Sequence, residues 1–208
     1  MHNDLAIIGA SGHGKVVADV AEATTKYDEV VFFDIKADDK KFFPYEVFND
    51  EEFQKIPKYK EDYEFIVAIG NNEIRQRITE QLTMDGFQIA TLIHPTATIG
   101  SRVKIGAGSV VVANAAINCD TIIGKGAIIN TGATVDHDCK IGDYVHISPG
   151  VNLAGTVRIG NLSWCGIGAT IINNIEICEL CLIGAGSTVI RDIIEAGTYF
   201  GTPAIRVR

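Results

Sequence analysis

The chain has 208 residues, of which 47% are hydrophobic and 21% charged, enough to bury the core of one or two compact domains. The formal net charge of −8 offers no basic patch for a nucleic acid or an anionic membrane surface, so neither is expected as a partner. With no export signal, no run of about eighteen apolar residues and an odd number of cysteines, we expect a cytoplasmic protein with reduced thiols.

Residues 1–94 alternate predicted strands and helices. The segments LAIIGA, EVVFFD, YEFIVAIG and QIATLIH are typical of strands, whereas HGKVVADVAEAT and NEIRQRITEQLTMDG have apolar residues at helical spacing. This β-α-β order predicts a small Rossmann-like α/β domain with a parallel sheet.

The segment GASGHG joins the first strand to the first helix, where backbone amides and the helix dipole favour an anion. Asp34 ends the second strand at the position where dinucleotide-binding folds hold a ribose hydroxyl, so an NAD-binding enzyme is one alternative. Against that alternative, the spacing is GxxGxG, and the domain is too short to include a hydride-transfer domain. The candidate phosphate-binding residues are Gly9, Ser11, Gly12, His13 and Gly14.

From Ile99 onward a large aliphatic residue or a cysteine recurs at every sixth position, with a small or β-branched residue four positions later. This hexapeptide repeat predicts a parallel β-helix over residues 95–194, with three hexads to a coil, and we assign 195–208 to a C-terminal tail. We attribute the glycines that often follow the aliphatic position to backbone shapes that other residues resist. The predicted inward residues are Ile99, Ile105, Val111, Ile117, Ile123, Ile129, Val135, Ile141, Ile147, Leu153, Ile159, Cys165, Ile171, Ile177, Ile183 and Val189.

Three of the five cysteines fall on packing positions of the repeat. Cys165 takes an inward aliphatic position, and Cys139 and Cys181 take the small-residue position. Cys178 and Cys181 form a CxxC motif, but no second pair or nearby histidine accompanies it, so we expect no metal site.

The triplet Asp136-His137-Asp138 lies between two inward positions, so the pattern points His137 and Asp138 outward. Imidazole titrates near neutrality and suits a general base that takes a proton from an attacking amine. A neighbouring carboxylate can hold its tautomer, and either Asp138 or Asp136 could do so. The alternative is that the triplet is a solvated polar turn.

Two further positions follow from the spacing. His146 lies half a coil after His137, on a different side of the triangle, so a site that uses both histidines needs two chains. Gly155 lies one coil above His137. The alternative is that His146 is an ordinary surface residue, and a non-catalytic or metal-binding β-helix scaffold would require a cluster of outward histidines.

The hexapeptide column, the GTPA turn (Gly201 to Ala204) and the segments GASGHG and AIGNNEIR resemble bacterial sugar acetyltransferases of the sialic-acid O-acetyltransferase type. The likeness is greatest to the N-acetyltransferases of bacillosamine biosynthesis. It implies a left-handed β-helix, a homotrimer with acetyl-CoA in grooves between subunits, and direct transfer to the 4-amino group of a UDP-linked 4-amino-4,6-dideoxy-N-acetylhexosamine. A sugar hydroxyl or a TDP-linked amino sugar is the alternative acceptor.

The resemblance also implies roles for individual residues. His137 is the general base, followed by Asp138 where the family often has glutamate; His146 contacts the acetyl carbonyl and the Gly155 amide stabilises the oxyanion. The implied coenzyme-binding residues are Asn130, His146, Gly155, Ile167 and Ala185. The implied residues for the UDP-sugar are Ser11, Gly12, His13, Asp34, Ile35 and Gly70, with Ile35 in place of a second acid that is frequent in the family.

Overall fold

The structure is a computed structural model that describes residues 4–35, 44–49 and 57–207. The chain divides into two compact units, Met1–Leu92 and Ile93–Arg208. No helix in the described part of the chain is long and apolar enough to cross a membrane.

The first unit contains a five-stranded parallel sheet. Its strands are β1 (Asp4–Ile8), β2 (Glu29–Asp34), β3 (Val47–Asn49), β4 (Tyr63–Val67) and β5 (Gln88–Ile89), in the spatial order β3-β2-β1-β4-β5. The central strands β1 and β4 are mostly apolar, as is typical of parallel sheets, and Leu5 and Phe65 are fully buried. The helices are α1 (Gly12–Thr24), α2 (Pro57–Asp62) and α3 (Asn72–Met84).

The strand order reverses between β1 and β4. The chain leaves β1 through α1 toward β2 on one side of the sheet, and leaves β4 through α3 toward β5 on the other. The loops after β1 and β4 therefore meet at the carboxyl edge, where open α/β sheets bind their ligands. These loops carry the segments GASGHG and IGNN.

The second unit is a parallel β-helix with three faces, on each of which successive strands pair residues 18 apart, as in Ile128 with His146. Face one holds β6 (Leu92–Ile93), β9 (Val110–Val111), β12 (Ile128–Ile129), β15 (His146–Ile147), β18 (Trp164–Cys165), β21 (Cys181–Ile183), β23 (Gly197–Phe200) and β24 (Ile205–Arg206). Face two holds β7 (Thr98–Ile99), β10 (Ala116–Ile117), β13 (Thr134–Val135), β16 (Asn152–Leu153), β19 (Thr170–Ile171) and β22 (Thr188–Val189). Face three holds β8 (Lys104–Ile105), β11 (Ile122–Ile123), β14 (Lys140–Ile141), β17 (Arg158–Ile159) and β20 (Glu176–Ile177). The predicted fold class, an α/β unit followed by a parallel β-helix, is confirmed.

The interior of the β-helix is the predicted column of aliphatic side chains. All sixteen predicted inward residues except Ile99 and Ile105, in the first coil, are buried. The small-residue positions are buried too, and a hydroxyl there donates to a carbonyl 15 residues later, as Thr121 does to Asp136 at 2.8 Å. Cys139, Cys165 and Cys181 pack in this core as the repeat predicts.

The glycines that follow the aliphatic positions have a different role from the one we expected. Their backbones do not adopt left-handed conformations; instead, a Cβ at Gly160 would lie 2.3 Å from the amide nitrogen of Glu179 in the next coil. Glycine is needed there because consecutive coils approach closely. The left-handed positions recur every six residues at another point of the hexad, at Arg102, Gly108, Asn114, Asp120, Gly126, Gly132, Asp138, Tyr144, Gly150, Thr156, Leu162, Gly168, Asn174, Leu180 and Gly186.

The segment that we assigned to a C-terminal tail, 195–208, extends face one. β23 pairs in parallel with β21, and β24 pairs with β23 in antiparallel orientation. Tyr199 of β23 belongs to the core of the β-helix.

Candidate active site

His137 and Asp138 form a hydrogen-bonded pair in the turn between β13 and β14. The Nδ1 atom of His137 lies 2.8 Å from Oδ2 of Asp138, and the His137 side chain is 52% exposed. Asp138 occupies one of the left-handed positions, with φ of 60°. When Nδ1–H donates to the carboxylate, the lone pair of the ring is on Nε2, which is the arrangement that a general base requires.

Asp136 has a separate role. Its Oδ1 accepts hydrogen bonds from the backbone nitrogen of His137 at 2.8 Å and from Nδ2 of Asn118, one coil below, at 2.7 Å. Asp136 thus fixes the backbone of the turn, and Asp138 contacts the ring. The sequence alone left open which of the two aspartates contacts His137.

The charges around His137 favour its protonated form. The hydrogen bond to Asp138, followed by the negative charge of Asp136, raises the pKa of His137 above its ordinary value. The hydrogen bond from Asn118, followed by that from the His137 backbone, lowers the pKa of Asp136, which therefore stays ionised. The ring thus has the enhanced basicity that a proton acceptor needs.

Gly155 lies against the His137 ring. A Cβ built on Gly155 would be 2.7 Å from both Cε1 and Nε2 of His137. Since atoms of this kind do not approach so closely, any other residue at 155 would displace the ring. The structure therefore brings His137, Asp138 and Gly155 into one cluster, as the 18-residue spacing predicts.

His146 lies on face one, away from the turn that carries His137, so the structure does not bring the two histidines together. It is only 8% exposed, and its ring stacks on Trp164 with centroids 5.1 Å apart and planes 11° apart. Nδ2 of Asn130 lies 3.3 Å from Nε2 of His146. Two of the predicted coenzyme-binding residues are thus in direct contact.

Two further predicted coenzyme-binding residues, Ile167 and Ala185, are exposed on consecutive coils at the corner that follows face one. Their backbones stack one above the other, since the nitrogen of Gly186 donates to the Ile167 carbonyl at 2.8 Å.

Sequence reasoning missed Asn118, Ser148 and Trp164. Each could have been found by the repeat itself, because Asn118 precedes Asp136 by 18 residues, Trp164 follows His146 by 18, and Ser148 follows Asn130 by 18. Trp164 donates its indole N–H to Oγ of Ser148 at 2.8 Å.

In the first unit, the GASGHG loop is held tightly to the sheet. A Cβ on Gly14 would lie 2.3 Å from the Gly9 carbonyl oxygen, so the helix can start close to the strand only with glycine there. The Ala10 nitrogen donates to Oδ2 of Asp34 at 2.9 Å, which ties the loop to the end of β2. Ser11 is the N-cap of α1 but makes no side-chain capping bond, and both Ser11 and Gly12 are exposed.

The loop after β4 is built around a buried arginine. Arg75 is 1% exposed and donates to the carbonyls of Ile69 at 2.9 Å and Gly70 at 3.3 Å and to Oδ1 of Asn72 at 2.8 Å. Burial, and then the charge of Arg75, lowers the pKa of His13 to about 4. His13 is therefore neutral near pH 7 and contributes no positive charge there.

The remaining predicted residues of this unit are placed as follows. Gly70 has open space where a side chain would be, and Ile35 is exposed after β2. Asn71 caps α3, with its Oδ1 accepting from the Ile74 nitrogen at 2.9 Å.

Comparison with known proteins extends over both units. Residues 4–82 match the family model of the PglD N-terminal domain, and residues 120–155 match that of the bacterial transferase hexapeptide (six repeats). The acetyltransferase domain of PglB from Neisseria gonorrhoeae FA1090, solved in complex with acetyl coenzyme A, is 39% identical, with a TM-score of 0.94 over 100% of both chains. This chain belongs to the PglB/PglD-type hexapeptide-repeat acetyltransferases. The family indicated by the sequence is confirmed.

Two further relatives of this PglB/PglD-type chain are informative. PerB from Caulobacter crescentus, solved with CoA and GDP-perosamine, is 34% identical, with a TM-score of 0.91 over 99% of this chain and 97% of that one. UDP-N-acetylbacillosamine N-acetyltransferase from Bacillus subtilis (strain 168) is 36% identical over 118 residues, which are 53% of this chain and 51% of that relative. This chain thus spans about half the length of the curated relative that it matches.

Proposed function

We propose that this chain is an acetyl-CoA-dependent N-acetyltransferase that acts on the 4-amino group of a UDP-linked 4-amino-4,6-dideoxy-N-acetylhexosamine. The observation that carries the proposal is the His137–Asp138 pair seated on Gly155, because it presents an oriented imidazole of raised basicity. The solved relatives with acetyl coenzyme A and with GDP-perosamine support the coenzyme and the class of acceptor.

The transfer is direct. Nε2 of His137 takes a proton from the sugar amine as the amine nitrogen attacks the thioester carbonyl, and Asp138 stabilises the imidazolium that forms. The carbon–nitrogen bond forms, the carbon–sulfur bond breaks, and the coenzyme leaves as a thiolate that receives the proton. The amide N–H of Gly155 stabilises the oxyanion of the tetrahedral intermediate.

None of the core cysteines is a suitable nucleophile for a covalent acyl-enzyme intermediate. Burial raises the pKa of the Cys165 and Cys181 thiols to about 12, and also raises that of Cys139. A thiol attacks as its thiolate, so these cysteines do not act as acyl carriers near neutral pH.

The two histidines are used together only in an oligomer. His137 and His146 lie on different sides of one β-helix, so a site that contains both takes one from each of two chains. We therefore include the homotrimer in the proposal, with acetyl-CoA bound along Asn130, His146, Ile167 and Ala185.

The first unit binds the nucleotide. The exposed Ser11 and Gly12 at the start of α1 offer backbone amides to the phosphates, neutral His13 lies in the first turn of α1, and Gly70 lies in the loop after β4. Asp34 holds the GASGHG loop through its bond to Ala10 and faces the ribose.

A GDP-linked acceptor is the second candidate, because PerB in complex with GDP-perosamine is 34% identical over almost the whole chain. The experiment that decides is thiol release from acetyl-CoA with UDP-, GDP- and TDP-linked 4-amino-dideoxy sugars, each matched to its 4-hydroxy analogue. The proposal predicts release with a UDP-linked amine and none with its hydroxy analogue. Release with a GDP- or TDP-linked amine alone would overturn the nucleotide assignment, and release with hydroxy sugars alone would overturn N-acetylation.

A further inference from the structure

An aromatic pair on face one has no role in the core. His146 and Trp164 are register partners in β15 and β18, and their rings stack nearly parallel at 5.1 Å. Trp164 is the only tryptophan of the chain. It points outward and is 39% exposed, while the inward residue of its strand is Cys165. Packing of the β-helix therefore does not require a tryptophan at this position.

Polar contacts fix both ends of the pair. The indole N–H of Trp164 donates to Ser148, itself buried, at 2.8 Å. At the other end, Oδ1 of Asn130 accepts from the Thr131 nitrogen at 2.8 Å, which turns Nδ2 of Asn130 toward Nε2 of His146. Because that amide donates, Nε2 of His146 accepts.

The His146 ring is thus held on two sides. The indole covers its face, and the Asn130 amide contacts its edge. A stacked indole limits rotation of the imidazole, and Ser148 in turn limits rotation of the indole. The four side chains form one connected unit on three consecutive coils, and two of them are residues to which we have assigned contact with the coenzyme.

We propose that Trp164 is a positioning residue of the acetyl-transfer site, which holds the His146 ring in the single orientation that meets the acetyl group of bound acetyl-CoA. This inference rests on the proposed function, in which His146 contacts the acetyl carbonyl. It adds a residue that the 18-residue repeat places beside the coenzyme groove. Since misplacement of a contacting group by about 1 Å can cost roughly 10²-fold, the loss of this support has a measurable effect.

The kinetic test compares Trp164→Leu with Trp164→Phe. Leucine removes the stacking, so we expect kcat/KM for acetyl-CoA to fall roughly tenfold or more while KM for the sugar stays within about twofold. Phenylalanine keeps the stacked ring and restores kcat/KM to within about threefold of the wild type. Ile122→Ala, a partly exposed apolar strand residue on face three, is the matched control. Unchanged kcat/KM for acetyl-CoA in Trp164→Leu, or an effect that is confined to KM for the sugar, contradicts the inference.

The second test does not depend on turnover. As the only tryptophan, Trp164 reports through its fluorescence on whatever binds beside it. We expect saturating acetyl-CoA to change the emission of the wild-type protein, and His146→Ala to weaken that binding. No change at saturating acetyl-CoA contradicts the inference. If instead the emission responds but no amino sugar supports thiol release, the proposed acceptor fails and the placement of Trp164 stands.

Discussion

Replacing Gly155 by alanine tests whether catalysis depends on the position of the His137 ring. The added Cβ would lie 2.7 Å from Cε1 and Nε2 of His137, 0.7 Å short of the 3.4 Å at which ordinary contact begins. The ring must move by at least that distance, and a misplacement of about 1 Å in a reacting group can cost roughly 10²-fold. We expect kcat to fall about 10- to 100-fold, or about 1.4 to 2.7 kcal/mol of transition-state stabilisation.

The same substitution has little effect on the fold. The backbone of Gly155 does not require glycine, and the group that must move is a side chain that is 52% exposed and can turn into solvent. We expect the free energy of unfolding to change by less than about 1 kcal/mol. Alanine keeps the amide N–H of residue 155, so the proposed stabilisation of the oxyanion by that amide would be retained.

The assay is steady-state thiol release at saturating acetyl-CoA, with thermal unfolding measured on the same preparations. His137→Ala alone and combined with Gly155→Ala completes a double-mutant cycle. Without the ring, the alanine at 155 has nothing to displace, so the double variant should be no slower than His137→Ala. The reasoning would be refuted if Gly155→Ala turned over as fast as the wild type. It would also be refuted if adding Gly155→Ala to His137→Ala caused the same fractional loss of turnover as adding it to the wild type.

Three further predictions follow from the described contacts. In Asp138→Asn the pKa of His137 falls, because the carboxylate that raised it is gone. The acidic limb of the kcat/KM profile, where His137 becomes protonated, should therefore move to lower pH, and the plateau should drop roughly tenfold. A profile measured from about pH 5 to 9 in which this limb does not move contradicts the prediction. Gly160→Ala should destabilise the β-helix by about 2 kcal/mol or more, since its Cβ would lie 2.3 Å from the backbone of Glu179. The free energy of unfolding in denaturant, measured for this variant and for Gly155→Ala, checks the prediction. Arg75→Lys loses the forked hydrogen bonds to the loop after β4, so KM for the nucleotide sugar should rise roughly tenfold while KM for acetyl-CoA stays unchanged. A parallel rise of both KM values would contradict a role of Arg75 that is confined to the first unit.

The fold was predictable from the hexapeptide period because one apolar side chain in six must enter the column. The period does not say why a glycine is present. Gly160 is required by close approach of two coils, whereas left-handed positions hold residues such as Tyr144 and Leu162, which local preferences do not favour there. The extension of face one by Tyr199 and its neighbours has no hexad spacing and escaped prediction for that reason.

The candidate site was predictable where it depends on position within one hexad. His137 and Asp138 interrupt a packing repeat with outward polar groups, and their contact follows from adjacency. The role of Asp136 depends on Asn118 in another coil, which becomes visible only when residues 18 apart are compared. The burial of Arg75 is contrary to the usual exposure of arginine; its guanidinium donates to the carbonyls of Ile69 and Gly70 in the loop after β4 and to Asn72 at the start of α3.

The central claim is that His137 is the general base for acetyl transfer to a nucleotide-linked amine. It is tested most directly by thiol release with the accepted amino sugar, wild type against His137→Ala, at matched folding and oligomeric state. We predict that turnover falls by roughly 10² to 10⁴, the usual contribution of a general base, while KM for acetyl-CoA changes little. Turnover within about threefold of the wild type would contradict the claim, because general-base catalysis cannot be lost at so small a cost.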